Sequence, residues 1–275
     1  MICLVSYDVG GAELLSCWAR YNKKKFLYCI KGPALKVYKK NIKGFKNSSA
    51  KDIKKKTTKI ITSTSKISDH EINFLKYGIK KKIKTISILD HWINYKSRFI
   101  RYKKTTLPNE IWVTDKFAYN IAKKTFNLKI LKKKNYYIEG IVKDYNKKKK
   151  LFKNKLVLYL SARGSLVLEK KRILYFLKFK KFFEKKKLKI LIKLHPSENK
   201  KKYDWLKKNF SKNIILNNKS SLNDLLLKSK YVIGCNSMAM VVATFLGKKV
   251  FDALPPQDEK NKLPFKQIKK LKFIK

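Results

Sequence analysis

Five short clusters in this sequence hold side chains that could do chemistry. The first is Lys193-Leu194-His195-Pro196. An imidazole just past a lysine, where an apolar run stops, could contact a nucleotide or a phosphate; a histidine capping an ordinary strand end is the alternative. The second is Asp90-His91-Trp92. Asp90 or His91 could abstract a proton or bind an acceptor, with Trp92 as a flat stacking surface; the alternative is a helix cap at Asp90 and a packed Trp92. The third is Asp8-Val9-Gly10-Gly11-Ala12-Glu13. Its glycines allow a tight turn that exposes helix N-terminal amides, and it supplies two carboxylates, Asp8 and Glu13; a plain strand-to-helix turn is the alternative. The fourth is Ser161-Ala162-Arg163-Gly164-Ser165, where hydroxyls, small residues and one of only five arginines meet. At a helix N-terminus such a set suits a diphosphate, against a solvated loop. The fifth is Asn236-Ser237-Met238. There Ser237 and its neighbouring amides offer donors, while the sulfurs of Met238 and Met240 read as core filler.

What these clusters share is their place. Each follows an apolar run of strand length: 2–6, 85–89, 156–160, 190–194 and 231–233. In an open α/β sheet, ligands bind outside the carboxyl ends of the strands. Pro196 cannot continue a ladder, so His195 is delivered at a strand end. Further strands are expected at 26–30, 59–63, 110–113, 136–139 and 214–216, with the last starting at Val250 and closed by Pro255-Pro256. Helices are expected after Gly11, over about 69–78 with Asp69 as N-cap, from Asp115, over 167–186, over 203–210, over 221–227 and over 238–246. Gly247 is placed to stop the last of these. Residues 44–56 read as a loop, and the tail after Gln257 as a short helix through Phe265 and Ile268. The basic run Lys147-Lys148-Lys149-Lys150 divides an N-terminal domain, 1–146, from a C-terminal one, 151–275, and the strand–helix pattern restarts in the second.

The chain has 275 residues, 44% of them hydrophobic, enough to pack a core despite a net charge of +52. Such a charge suggests a polyanion partner. Two features argue against nucleic acid. The cations are 65 lysines and five arginines, whereas base readers lean on arginine forks. The lysines also run along the whole chain, and the abundance of Lys, Asn, Ile, Phe and Tyr with only 9 Gly and 6 Pro is that of an A/T-rich coding bias. The same lysines favour an anionic membrane surface. Cys3, Cys17, Cys29 and Cys235 form no CxxC pair and read as reduced residues of a cytoplasmic protein. Neither a signal peptide nor a membrane span is read, so membrane contact would be peripheral, at the inner face.

The motifs Lys193-Leu194-His195-Pro196 and Asn236-Ser237-Met238-Ala239, with the strand, turn, helix, Gly-Lys and strand pattern over 231–250, resemble the donor domain of GT-B glycosyltransferases. The likeness is greatest to the bacterial sialyltransferase, polysialyltransferase and glycerophosphotransferase-like groups. The stretches from Glu110 and from Tyr136 resemble the end of the family's first domain. The resemblance implies an α/β fold of two Rossmann-like domains facing a cleft, a first domain on the acceptor side and a second that holds a nucleotide-sugar donor. It implies that His195, Ser237 and the adjoining amides contact the donor's phosphates; by their place at the same strand ends, Ser161, Arg163, Gly164, Ser165, Lys193, Pro196, Asn236 and Met238 are expected to line that site. The family's base lies in an acidic, glycine-containing element; here that is Asp8, with Glu13, Asp90 and His91 as alternatives. The expected reaction moves a sugar to a surface-glycan or lipid-linked acceptor, without a cofactor or an obligatory metal. An epimerase or hydrolase of nucleotide sugars, and a basic nucleic-acid-binding protein, are the rival readings.

Overall fold

Most of the apolar runs are followed by a helix that carries the chain back to the start of the next, so the two large sheets are built of parallel strands. The computed structural model describes residues 1–151, 154–162, 164–195, 198–206, 214–217, 220–258 and 260–274. The chain divides into two compact units, Met1–Glu139 and Gly140–Lys275.

The first unit contains β1 (Ile2–Ser6), α1 (Val9–Asn22), β2 (Phe26–Ile30), α2 (Ala34–Asn41), α3 (Ala50–Lys56), β3 (Lys59–Thr62), α4 (His70–Lys80) and β4 (Lys84–Ile88). A small antiparallel pair follows, β5 (Ile100–Arg101) and β6 (Lys104–Thr105), then β7 (Glu110–Val113), α5 (Lys116–Thr125) and β8 (Lys129–Lys132). Its six-stranded parallel sheet has the order β2-β1-β3-β4-β7-β8. The order reverses between β1 and β3, so the loops leaving those two strands border the point where open α/β sheets take ligands.

Helix α6 (Tyr136–Lys148) runs through the division. The second unit then holds β9 (Leu156–Leu160), α7 (Leu166–Leu177), α8 (Lys180–Lys185), β10 (Lys189–Lys193), β11 (Ile214–Asn217), α9 (Leu222–Lys228), β12 (Ser229–Gly234), α10 (Met238–Phe245), β13 (Lys249–Asp252) and β14 (Ile268–Lys270). Its sheet is also six-stranded, in the order β11-β10-β9-β12-β13-β14. Numbered within the unit this is 3-2-1-4-5-6, the arrangement of dinucleotide-binding domains, with its reversal between β9 and β12. The core packs fully buried Tyr159, Phe176, Phe183, Ile192 and Tyr203 around those strands.

Four sequence expectations need correction. Tyr136–Glu139 is helical, not a strand; Asn135 caps it, accepting from the amide of Ile138 at 3.0 Å, and Ile138 and Ile141 are its buried face. The strand lies earlier, at β8, where only Ile130 is fully buried and the apolar signal is correspondingly weak. The stretch 44–56 contains α3, started by Ser49, whose hydroxyl accepts from the amide of Asp52 at 3.1 Å. The single helix expected over 167–186 is broken after Leu177. The break brings the Phe176 and Phe183 rings to 5.9 Å, nearer than the roughly 10 Å rise between residues seven apart on a straight helix. The tail does not form the expected helix: it adds β14 to the open edge of β13 and buries Leu271. The basic run Lys147 to Lys150 completes α6 and a short 3-10 turn. The helix expected over 203–210 lies partly outside the described residues.

Candidate functional site

In the second unit three of the clusters gather at the carboxyl edge of neighbouring strands. The Ser161 amide donates to the carbonyl of Lys193 at 3.0 Å, and the His195 amide donates to Ser161 Oγ at 2.9 Å. The ends of β9 and β10 are thereby bonded to each other, and His195 is fixed at its backbone. Ser161 is buried and its hydroxyl oxygen accepts this bond, so it positions the histidine. Ser165 likewise uses its hydroxyl as the N-cap of α7, accepting from the Leu168 amide at 3.3 Å. Gly164 sits between them with φ +149°, a backbone conformation that favours glycine. Lys193 is half-buried, and burial pushes its ammonium pKa below the usual lysine range. Arg163 and Pro196 lie outside the described residues.

On the other side of β9, β12 ends at Gly234, where an added Cβ would lie 3.2 Å from Leu160 Cβ. Asn236 follows with φ +47° and accepts from the Lys262 amide at 2.7 Å. Ser237 caps α10, accepting from the Ala239 amide at 3.2 Å. Met238 is half-buried on the first turn of α10, while Met240 is fully buried in the core. The N-termini of α7 and α10 thus flank the reversal point. Free amide groups and the helix dipoles favour an anion at both.

Residues that the sequence did not single out hold this edge in place. Glu169, in the first turn of α7, is buried and accepts from the Ala162 amide at 3.1 Å. Burial raises its pKa to about 7, against the lowering effect of that amide and of the Arg172 charge. Lys202 donates to the Gly164 carbonyl at 2.8 Å and also pairs with Glu198. The only sequence signal for Glu169 is an acid in a helix's first turn after a strand-end loop, which is too common to select it.

The first unit has its own set at its carboxyl edge. Asp8 occupies the N-cap position of α1 in extended conformation, and α1 begins at Val9, so both glycines lie inside its first turn. They serve close packing rather than a turn. A Cβ at Gly10 would lie 2.2 Å from Asp90 Oδ2, and one at Gly11 would lie 2.5 Å from Ser63 Cβ. Asp90 is not a helix cap. It pairs with Arg98 at 2.7 Å, both side chains being nearly buried, and the same Arg98 nitrogen donates to Thr64 Oγ1 at 2.7 Å. Glu13 accepts from Asn41 Nδ2 at 2.8 Å. His91 Nδ1 accepts from the Trp92 amide at 3.0 Å. Trp92 is buried with its indole N–H donating to Asp115 at 2.9 Å, so its face is packed and is not a stacking surface.

The first unit also holds a carboxylate that the sequence reading passed over. Glu71 is buried on the first turn of α4, at the reversal point between β1 and β3. Its Oε1 accepts from the Tyr7 amide and from Ser63 Oγ, each at 3.0 Å, and its buried Oε2 has no hydrogen-bond partner. Burial raises its pKa to about 7, and the Asp8 charge adds to the rise. Among the described residues, no group of three or more His, Cys, Asp or Glu side chains is placed to hold a metal ion. The four cysteines are free thiols, three buried and Cys29 half-buried.

A scan of the sequence against protein-family models finds no match, and a search of curated protein sequences finds none either. Solved structures do match. The UDP-GlcNAc 2-epimerase from Neisseria meningitidis, bound to UDP-GlcNAc, superposes with a TM-score of 0.67 at 15% identity, covering 96% of this chain and 84% of that one. The UDP-GlcNAc 2-epimerase from Methanocaldococcus jannaschii, in complex with UDP-GlcNAc and UDP, gives 0.65 at 13% identity, covering 91% and 83%. A variant of the wall teichoic acid polymerase TagF gives 0.53 at 13% identity, covering 92% and 69%. The chain therefore has the two-unit, parallel-sheet GT-B-like α/β fold of these proteins.

Proposed function

We propose that the protein is an enzyme acting on a nucleotide-activated sugar at the bond between sugar and phosphate. In this reading it transfers the sugar to a surface-glycan or lipid-linked acceptor. One observation carries it: His195, bonded through its backbone to Ser161, stands beside the reversal point of a 3-2-1-4-5-6 sheet that is flanked by two helix N-termini. The neighbours bound to UDP-GlcNAc and UDP lend support, as does the resemblance of Lys193-Leu194-His195-Pro196 and Asn236-Ser237 to sialyltransferase-like motifs.

In this mechanism the leaving nucleotide is already an anion. Fixed donors that meet its growing charge are therefore the largest catalytic contribution. His195, Lys193, the amides at Gly164 and Ser165, and those at Ser237 and Met238 supply them. A first-unit carboxylate takes the acceptor's proton. Asp8 is assigned this role, as the carboxylate of the acidic, glycine-containing element that follows β1 and opens α1. No cofactor is required, since the donor carries its own leaving group. The protein works at the cytoplasmic side of a membrane without spanning it; among the described residues no helix is long and apolar enough to cross one.

The test is a thermal-shift series with UDP, CDP, CMP and GDP, because a ligand that binds only the native state raises the melting temperature. A shift with one nucleotide that His195→Ala abolishes supports the site; no shift with any of them refutes it. Epimerisation or hydrolysis of the same donor is the second reading, favoured by the better superposition on the 2-epimerases than on the polymerase. Product analysis with and without acceptor separates the two.

A further inference from the structure

We propose that the first turn of α7 is a docking tip that inserts Leu166, Val167 and Leu168 into the surface of an anionic bilayer. This deepens the proposed function by naming the surface from which a lipid-linked acceptor would reach the donor loop.

Apolar side chains on a water-soluble unit are normally exposed singly, and clusters mark contact surfaces. Leu166, Val167 and Leu168 are 46, 76 and 46% exposed, the only run of three consecutive large exposed apolar residues among the described ones. Leu174, two turns beyond Val167 on α7, is also exposed. The tip is held firmly. Ser165 caps its helix, Glu169 fastens that first turn to the Ala162 amide, and Lys202 grips the Gly164 carbonyl just before it. A rigid apolar tip loses little conformational freedom on insertion, since its backbone is already ordered.

Charge selects the partner. The sequence carries 70 Lys and Arg against 18 Asp and Glu. One residue beyond the tip on α7, Lys170 lies over the Trp205 ring at 5.4 Å and Lys171 pairs with Asp258, in the segment that carries Lys260 and Lys262. The described carboxylates nearby are engaged: Asp258 by Lys171, Glu198 by Lys202, and Glu169 in the interior. An apolar tip with lysines on its own helix and on the adjoining segment matches the boundary of an anionic bilayer, where acyl chains take the apolar residues and lipid phosphates meet the lysines.

Because so many lysines will draw this protein to any anionic surface, the experiment must detect insertion. In the full chain, on a Cys29→Ala background, Val167→Cys carries an environment-sensitive fluorophore and is mixed with phosphatidylcholine vesicles, with and without phosphatidylglycerol. The expected result is a blue shift with the anionic vesicles that persists at about 1 M salt, where charges are screened beyond roughly 3 Å. A companion chain with Leu166→Ser, Val167→Ser and Leu168→Ser should partition about tenfold more weakly at that salt. An unshifted label on bound protein, or equal partitioning of the triple variant, overturns the proposal and leaves the lysines as the whole cause. A blue shift that grows with protein concentration in the absence of vesicles also overturns it, assigning the tip to a second copy. If the triple variant fails to fold, the label still decides. The nucleotide thermal shift is read separately on the unmodified chain, so failure of the donor site and failure of the tip are distinct results.

Discussion

The carboxylate of Glu71 accepts a hydrogen bond from the hydroxyl of Ser63 at 3.0 Å, and so ties the start of α4 to the end of β3. The same oxygen takes the Tyr7 amide, at the end of β1. One buried acid thus closes the reversal point of the first sheet, directly behind Asp8.

The first prediction is a pH dependence of stability. The pKa of Glu71 is raised by burial from 4.5 to about 7, so between those values the folded state holds a proton that the unfolded state has lost. Its stabilising share is full below about pH 4.5 and declines as pH rises to about 7. Glu169 behaves alike, also raised to about 7. Melting temperature should therefore fall between pH 5 and 8, roughly, with each group contributing on the order of 1–3 kcal/mol. Glu71→Gln, which keeps an acceptor for Tyr7 and Ser63, should flatten that slope. A slope unchanged in the variant would assign the dependence elsewhere.

Gly11→Ala should destabilise the first unit. The new methyl meets Ser63 Cβ at 2.5 Å, with the Ser63 Cα behind it at 3.5 Å. Overpacking of this kind costs about 1–3 kcal/mol, against less than about 1 kcal/mol gained in helix propensity. Urea unfolding measures the difference, and a stabilised variant would contradict the packing.

Arg98→Met should cost about 2–4 kcal/mol, because it leaves the nearly buried Asp90 carboxylate without its partner. The double variant Arg98→Met with Asp90→Asn should recover most of the loss. If the double variant is as unstable as the sum of the single changes, the pair is not coupled.

In the second unit, Ser161→Ala removes the acceptor for the His195 amide. An amide left unpaired costs about 1–3 kcal/mol, and the strand end should loosen. Nucleotide affinity should fall about tenfold while the unit stays folded. His195→Ala should reduce affinity or turnover by at least as much. Calorimetric titration of both variants checks the order.

The apolar runs, the small residues at their ends and the spacing of the helices were enough to determine an α/β chain with two repeated halves. They also placed Asp8, Asp90, Ser161, His195 and Ser237 at or just beyond strand ends, because a strand's length and its stop are local properties. The cap at Ser237 and the stop at Gly247, with φ +67°, were legible for the same reason. What local pattern could not reveal was which strand each run would lie beside. Only pairing across the sheet put the reversal points between β1 and β3 and between β9 and β12. The same pairing turned Gly10 and Gly11 from a turn into a packing contact and set the Ser161 oxygen to accept from the His195 amide. Glu71 and Glu169 escaped notice because an acid in a helix's first turn looks the same in sequence whether it faces water or the interior. Their raised pKa values follow from desolvation, and the buried surroundings that cause it are assembled by strands distant in the chain.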